Sequence, residues 1–147
     1  MYDVQNRFFC LLKQILFFDI FYDHKIIVLL HFEKRRMYNI TFKFEQKGLE
    51  PITIDKVEGN QSILEVALKN DIDLHHNCGG VCACSTCHLY VEKGGHLIEE
   101  LTDKEEDFID RAINPKLTSR LGCQCSLIGN GGDIEVTLPD QSQFLGE

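Results

Sequence analysis

From Tyr38 the chain alternates: Tyr38, Ile40, Phe42 and Phe44 are separated by Asn39, Thr41 and Lys43, and the pattern stops at Glu45. A period of two puts four large side chains on one face of a half-buried strand. Gln46-Lys47-Gly48 makes a turn, and Leu49 to Asp55 reads as the strand that returns from it. Ser62 and Glu65 stand at capping-box spacing. Ile63, Val66 and Ala67 then give a short helix one buried face. His75 to Cys87, with two glycines and four cysteines, has no period and is a loop. His88 to Val91 is another short strand, stopped by Gly94-Gly95. Thr102 and Glu105 repeat the capping-box spacing. They open a helix to about Ala112, with Phe108 and Ile109 as its apolar contacts and Pro115 just past its end. Leu121 to Cys125 is apolar and tight, and Asn130-Gly131 is a turn signal. Asp133 to Leu138 alternates into a last strand that stops at Pro139. A small mixed sheet with one main helix and one surface helix is an α+β domain.

Residues 1–36 do not share this texture. They contain no Gly, Ala, Pro, Ser or Thr, 21 of the 36 are apolar, and eight of the chain's 14 aromatics lie there. Lys13, Asp19, Asp23, His24 and Lys25 interrupt every long apolar run, so no membrane span is expected. Secretory and transit peptides are equally poor fits, since there is no small residue to cleave after and there are four acids. The residue types are those of AT-rich codons. The expectation is that 1–36 is an over-extended gene start and that Met37 opens the working domain, 37–147. The rival is a membrane-surface helix or a lineage-specific extension.

Charge separates the two segments as well. The 147 residues carry −8 in total, but 1–36 carry six basic and four acidic side chains, leaving −10 on 37–147. That balance excludes nucleic acid, whose binding rests on Lys and Arg at phosphates, and it suits a partner with a basic face.

Seven cysteines are many for this length, and they are clustered. Cys10 stands alone; Cys78, Cys82, Cys84 and Cys87 fall within ten residues; Cys123 and Cys125 sit together. A secreted disulfide framework spreads its cysteines, whereas clustered thiols indicate a metal centre in a reducing compartment, here the cytoplasm. Cys78, Cys84 and Cys87 form C-x5-C-x2-C, and Cys123 follows 36 residues after Cys87. A tetrahedral thiolate set suits zinc or an iron–sulfur cluster. Structural zinc usually takes two short knuckles, and Cys123-x-Cys125 is too close for an ordinary second one. Gly79, Gly80, Ala83 and Ser85 are small enough to let backbone N–H groups approach cluster sulfurs. A zinc-stabilised binding module remains the alternative of another class.

Cys78-Gly-Gly-Val-Cys-Ala-Cys84-Ser-Thr-Cys87-His88, with Ser119-Arg-Leu-Gly-Cys123-Gln124 downstream, resembles the adrenodoxin-type [2Fe–2S] ferredoxins, including those of iron–sulfur cluster assembly. The resemblance covers about residues 38–140. It implies a β-grasp fold, one [2Fe–2S] cluster per chain, and Cys78, Cys84, Cys87 and Cys123 as ligands. It also implies that His88 bonds near the cluster loop and helps couple it to an acidic helix. Cys82 and Cys125 are read as a spare thiol and a strand residue, His75 and His76 as shaping the loop entrance, and Gly129 to Gly132 as a turn.

From Glu92 to Asp110 eight acids face two bases. Asp103, Asp107 and Asp110 recur at i, i+4 and i+7 and so share one helix face. The resemblance implies that this helix, with Asp103, Glu106, Asp107 and Asp110, docks basic redox partners. The expected protein is a monomeric, non-enzymatic one-electron carrier. Four thiolates and acidic surroundings set its potential on the order of a few hundred millivolts negative. A flavoprotein NAD(P)H-dependent ferredoxin reductase would reduce it, and the acceptor would be the cysteine desulfurase and scaffold machinery. The alternative acceptor is a cytochrome P450 or another oxygenase.

Overall fold

The computed structural model describes residues 37–144. The readings of 1–36 as an over-extended start or a surface helix, and of Cys10 as a passenger, lie outside the described residues. The elements run β1 (Met37–Phe44), β2 (Ile52–Glu58), α1 (Ile63–Lys69), β3 (His88–Lys93), α2 (Asp103–Ile109), β4 (Ser119–Leu121) and β5 (Gly132–Leu138). Short 3₁₀ turns lie at Gly95–Leu97 and Gln141–Phe144. The five strands form one sheet in the order β2-β1-β5-β3-β4. β1 and β5 are parallel, with Ile40 opposite Ile134 and Phe42 opposite Val136, and the other pairs are antiparallel. The α+β expectation stands.

The alternation of β1 does what a period of two predicts. Tyr38, Ile40 and Phe42 are fully buried and Phe44 is half-buried against them. Ile134, Val136 and Leu138 of β5 line the same core, and each such side chain contributes about 1.5–3 kcal/mol by leaving water. α1 covers this core with Ile63, Leu64, Val66 and Ala67. Its capping box is complete: Glu65 N–H donates to Ser62 Oγ at 3.2 Å, and Ser62 N–H donates to Glu65 Oε2 at 2.7 Å.

Three local readings shift. The returning strand is Ile52–Glu58 rather than Leu49 to Asp55, because its limits are set by pairing with β1, from Phe42↔Ile52 to Met37↔Glu58. α2 ends at Ile109, not near Ala112. Arg111 and Ala112 N–H bond to Phe108 and Ile109 carbonyls three residues back, which tightens the last turn. The tight stretch Leu121 to Cys125 is the end of β4 followed by a turn, with Gln124 and Cys125 N–H both donating to Leu121 O.

The position of this turn follows from α1. The first N–H groups of a helix have no partner inside it. Here Ile63 N–H donates to Cys125 O and Leu64 N–H to Gly122 O, both at 3.0 Å. Those two carbonyls bracket Cys123, so the start of α1 holds the turn that carries it.

Candidate metal centre

The loop from His75 to Cys87 connects the α1 side of the core to β3. Gly79, Gly80 and Cys82 all take positive φ, at 71°, 86° and 53°, and the chain curls there around Cys78. Burial alone would raise the Cys78 thiol. The backbone N–H of Ala83, the Cys84 thiol and the backbone N–H groups of Gly80 and Val81 bond to it and hold it below its ordinary value. Thr86, buried, places its hydroxyl 3.2 Å from Cys84 Sγ and accepts Asn77 N–H at 2.9 Å. Thr86 carried no signal in the sequence beyond its place between two cysteines.

The second pair forms across the sheet. Cys87 is fully buried at the head of β3, and β4 brings Gly122 beside it, with Gly122 N–H donating to Cys87 O at 2.8 Å. Cys123 therefore lies against Cys87, and the two thiols hydrogen-bond. The Cys87 thiol beside it, against the cost of burial, holds Cys123 down to about 6, helped by the Gln124 side chain and the Cys82 backbone N–H. Gln124 Nε2 lies 3.3 Å from Cys123 Sγ. Cys87 is pushed up by the same contact and by burial.

The four candidate ligands thus stand as two pairs, Cys78 with Cys84 and Cys87 with Cys123, and among the described residues no three Cys, His, Asp or Glu side chains gather round a single metal position. Backbone donors reach Cys78 and Cys123, a hydroxyl reaches Cys84, and a thiolate-rich, amide-lined loop is what an iron–sulfur centre requires. Two such pairs would hold a binuclear cluster better than a single ion.

Residues 45–127 match the family described as "2Fe-2S iron-sulfur cluster binding domain". The chain belongs to this family. The 2Fe-2S ferredoxin of Haemophilus influenzae is 41% identical over 90 residues, covering 61% of this chain and 77% of that one. The adrenodoxin-like protein 2, mitochondrial, of Arabidopsis thaliana is 47% identical over 94 residues, covering 63% and 46%. Among solved structures, the ISC-like [2Fe-2S] ferredoxin (FdxB) of Pseudomonas putida superposes with a TM-score of 0.63 at 38% identity, over 70% of this chain and 93% of that chain. Putidaredoxin in its covalent complex with putidaredoxin reductase superposes with a TM-score of 0.57 at 27% identity, over 69% and 98%.

This adrenodoxin-type ferredoxin therefore has the β-grasp fold, and its cofactor is one [2Fe–2S] cluster. The zinc-module alternative falls with that assignment. Of the two other cysteines in the region, Cys82 is buried, its thiol pushed up by burial, while its backbone N–H serves Cys123. Cys125 is fully enclosed in the core and is pushed up by burial. Ser85 shapes the exit of the loop, its carbonyl accepting His88 N–H at 3.2 Å. His76 lies half-buried at the entrance, with Nδ1 3.1 Å from Leu74 O. His75 N–H donates to Gln141 Oε1 at 3.1 Å.

His88 is fully buried in this ferredoxin, and burial lowers it to about 4, so the ring is neutral. Its Nε2 lies 2.8 Å from Ser119 Oγ, which also accepts Lys116 N–H at 2.7 Å. The ring meets Tyr90 edge-on at 4.9 Å. The residue after Cys87 is thereby tied to the segment that follows α2.

On α2, Asp103, Glu106, Asp107 and Asp110 are all exposed. Lys104 Nζ reaches Val81 O at 3.5 Å, so the helix stands beside the cluster loop. Glu105 departs from expectation. Thr102 caps the helix by accepting Glu105 N–H at 3.2 Å, but the Glu105 side chain does not return the bond. It turns inward and is fully buried. Among the described residues no helix is long and apolar enough to cross a membrane.

Proposed function

We propose that this ferredoxin takes one electron at a time from a flavoprotein NAD(P)H-dependent reductase. It delivers the electron to the cysteine desulfurase and scaffold machinery of iron–sulfur cluster assembly, as a monomeric, non-enzymatic carrier whose working domain is 37–147. Cys78, Cys84, Cys87 and Cys123 hold the cluster, which when bound supplies one-electron redox chemistry. The chain's own part is to hold those sulfurs, and backbone N–H groups from Gly80, Ala83 and their neighbours lower the electron density on them. A cytoplasmic site suits six cysteines that are all free among the described residues.

One observation carries the partner reading: the exposed acids of α2 stand next to the loop of paired thiols, with Lys104 Nζ at Val81 O. A basic-faced partner drawn to Asp103, Glu106, Asp107 and Asp110 would arrive beside the cluster, and the shared field would speed its encounter. The relative crystallised in covalent complex with its reductase supports a reductase partner, and the ISC-like neighbour supports the assembly role. Supply of electrons to a cytochrome P450 or another oxygenase is the competing role.

The test pairs kinetics with binding. An Asp107→Lys, Asp110→Lys variant should raise the KM for a ferredoxin reductase by about tenfold at low salt, and the gap should close as salt screens it. Titration of the holoprotein against cysteine desulfurase should show binding that competes with the reductase. Ionic-strength-independent kinetics would refute the docking face, and binding to a P450 but not to the desulfurase would refute the assembly role.

A further inference from the structure

The donors that reach the candidate sulfurs are of two kinds. Cys78 accepts backbone N–H groups of Ala83, Gly80 and Val81, Cys87 accepts that of Cys123, and Cys123 accepts that of Cys82. These are part of the loop and the turn themselves. The side-chain donors are the Thr86 hydroxyl at Cys84, which is buried, and the Gln124 amide at Cys123, which is half-buried. Gln124 owes its aim to the turn after β4. Its N–H donates to Leu121 O and its carbonyl accepts Ser126 N–H, both at 2.9 Å, so its backbone is held on both sides. Cys125, next in the chain, is enclosed in the core. Gln124 Nε2 then comes to 3.3 Å from Cys123 Sγ. A thiolate can only accept, so it is the nitrogen end of the amide that faces it.

We propose, resting on the reading of Cys123 as a cluster ligand, that Gln124 is a positioning residue that acts through Cys123: its side-chain N–H draws electron density off that sulfur and raises the potential of the protein. An added electron makes the ligand sulfurs more negative, and a hydrogen bond to a more negative acceptor is stronger. A donor aimed at Cys123 Sγ therefore favours the reduced state over the oxidised one, which is how hydrogen bonds to sulfur set such potentials. The backbone donors act in the same sense but are fixed by the path of the chain. Gln124 places this control on one side chain, which can be exchanged while the turn keeps its own backbone bonds.

The experiment compares the holoprotein with four variants. Gln124→Met keeps the length of the side chain and loses its N–H, Gln124→Ala leaves room for water, Ser126→Ala changes a neighbour on the same turn, and Cys123→Ser tests the ligand. Potentials are read by equilibration with a dye of known potential. Gln124→Met should shift that equilibrium toward the oxidised protein by about three- to tenfold, tenfold being about 59 mV for one electron. Gln124→Ala should fall between Gln124→Met and wild type, because water returns part of the bond, and Ser126→Ala should match wild type. A Gln124→Met potential equal to or above wild type overturns the inference, as does an equal shift in Ser126→Ala. Should Gln124→Met not hold a cluster, Gln124→Ala decides, and a potential no lower than wild type is then the overturning result. Cys123→Ser separates the two readings. If its visible spectrum changes while the Gln124→Met potential does not, the role of Gln124 alone fails. If its spectrum is unchanged, the ligand reading fails and takes the role of Gln124 with it.

Discussion

Gly122 offers the sharpest test of how the second thiol pair is assembled. A Cβ added there would lie 3.1 Å from Leu74 Cδ2, 3.2 Å from Leu89 Cδ2 and 3.2 Å from Cys87 O. Carbon contacts are comfortable near about 3.5–4.0 Å, so three neighbours must each give by a few tenths of an ångström. The two leucine termini can move. The Cys87 carbonyl cannot move freely, since it accepts Gly122 N–H at 2.8 Å and belongs to a residue carrying a candidate ligand. Overpacking of this size costs about 1–3 kcal/mol. Loss of glycine's unfolded-state freedom returns about 0.4–1 kcal/mol, so Gly122→Ala should be destabilised by about 1–2 kcal/mol. Because the strain falls between Cys87 and Cys123, cluster content per chain should fall too. Urea unfolding followed by far-ultraviolet circular dichroism, with iron and visible absorbance per chain, measures both. Gly95→Ala is the control: its added Cβ meets only Val91 Cγ1 at 3.9 Å, an ordinary contact. A Gly122→Ala protein as stable and as fully loaded as wild type and Gly95→Ala would refute the reasoning.

Cys125→Ala should keep the visible spectrum, because its thiol is enclosed in the apolar core and belongs to neither thiol pair, whereas Cys123→Ser should lose or shift it; absorbance after reconstitution decides between them. Ser62→Ala removes both a cap and the hydroxyl end of a complete capping box. It should cost about 1 kcal/mol, read by chemical denaturation. Glu135 is held below the ordinary carboxylate range by its 2.7 Å hydrogen bond and ion pair with Lys43. A depressed folded-state pKa means stabilisation that is present above the unfolded carboxyl value and lost as pH falls through the folded one. Carbon-13 titration should show Glu135 low in wild type and higher in Lys43→Gln; an unmoved Glu135 would remove Lys43 as the cause.

What was legible in the chain was whatever is written locally. β1 could be read from strict alternation, α1 from Ser62 and Glu65, and the ligand set from cysteine spacing together with its resemblance to a family. What was not legible depends on partners distant in sequence. Thr102 and Glu105 have the same spacing as Ser62 and Glu65, yet Arg120 captures the second glutamate and the box closes only halfway. The limits of β2 come from its register on β1, and inside it Lys56 takes a φ of 58°, which no neighbour announces, where that register slips between Tyr38 and Ile40. Thr86 and Gly122 enter the sequence reading only as neighbours of cysteines within the motif. Their importance is a matter of 3.2 Å to a sulfur and 2.8 Å to a carbonyl, which only the closed fold supplies.

The parallel pairing of β1 with β5 also bears on how the protein is made. Ile40 meets Ile134 across nearly the whole domain, so the centre of the sheet cannot close until the last strand has left the ribosome. Such long-range pairing makes for slow folding. Throughout that interval Cys78, Cys84 and Cys87 are present as loose thiols, and Cys123 emerges well after them. A cluster held by all four candidate ligands can be completed only after Cys123 has been made, and the window before it is when these thiols are most open to oxidation. Cells short of iron or under oxidative stress should lose newly made chains before they lose old ones.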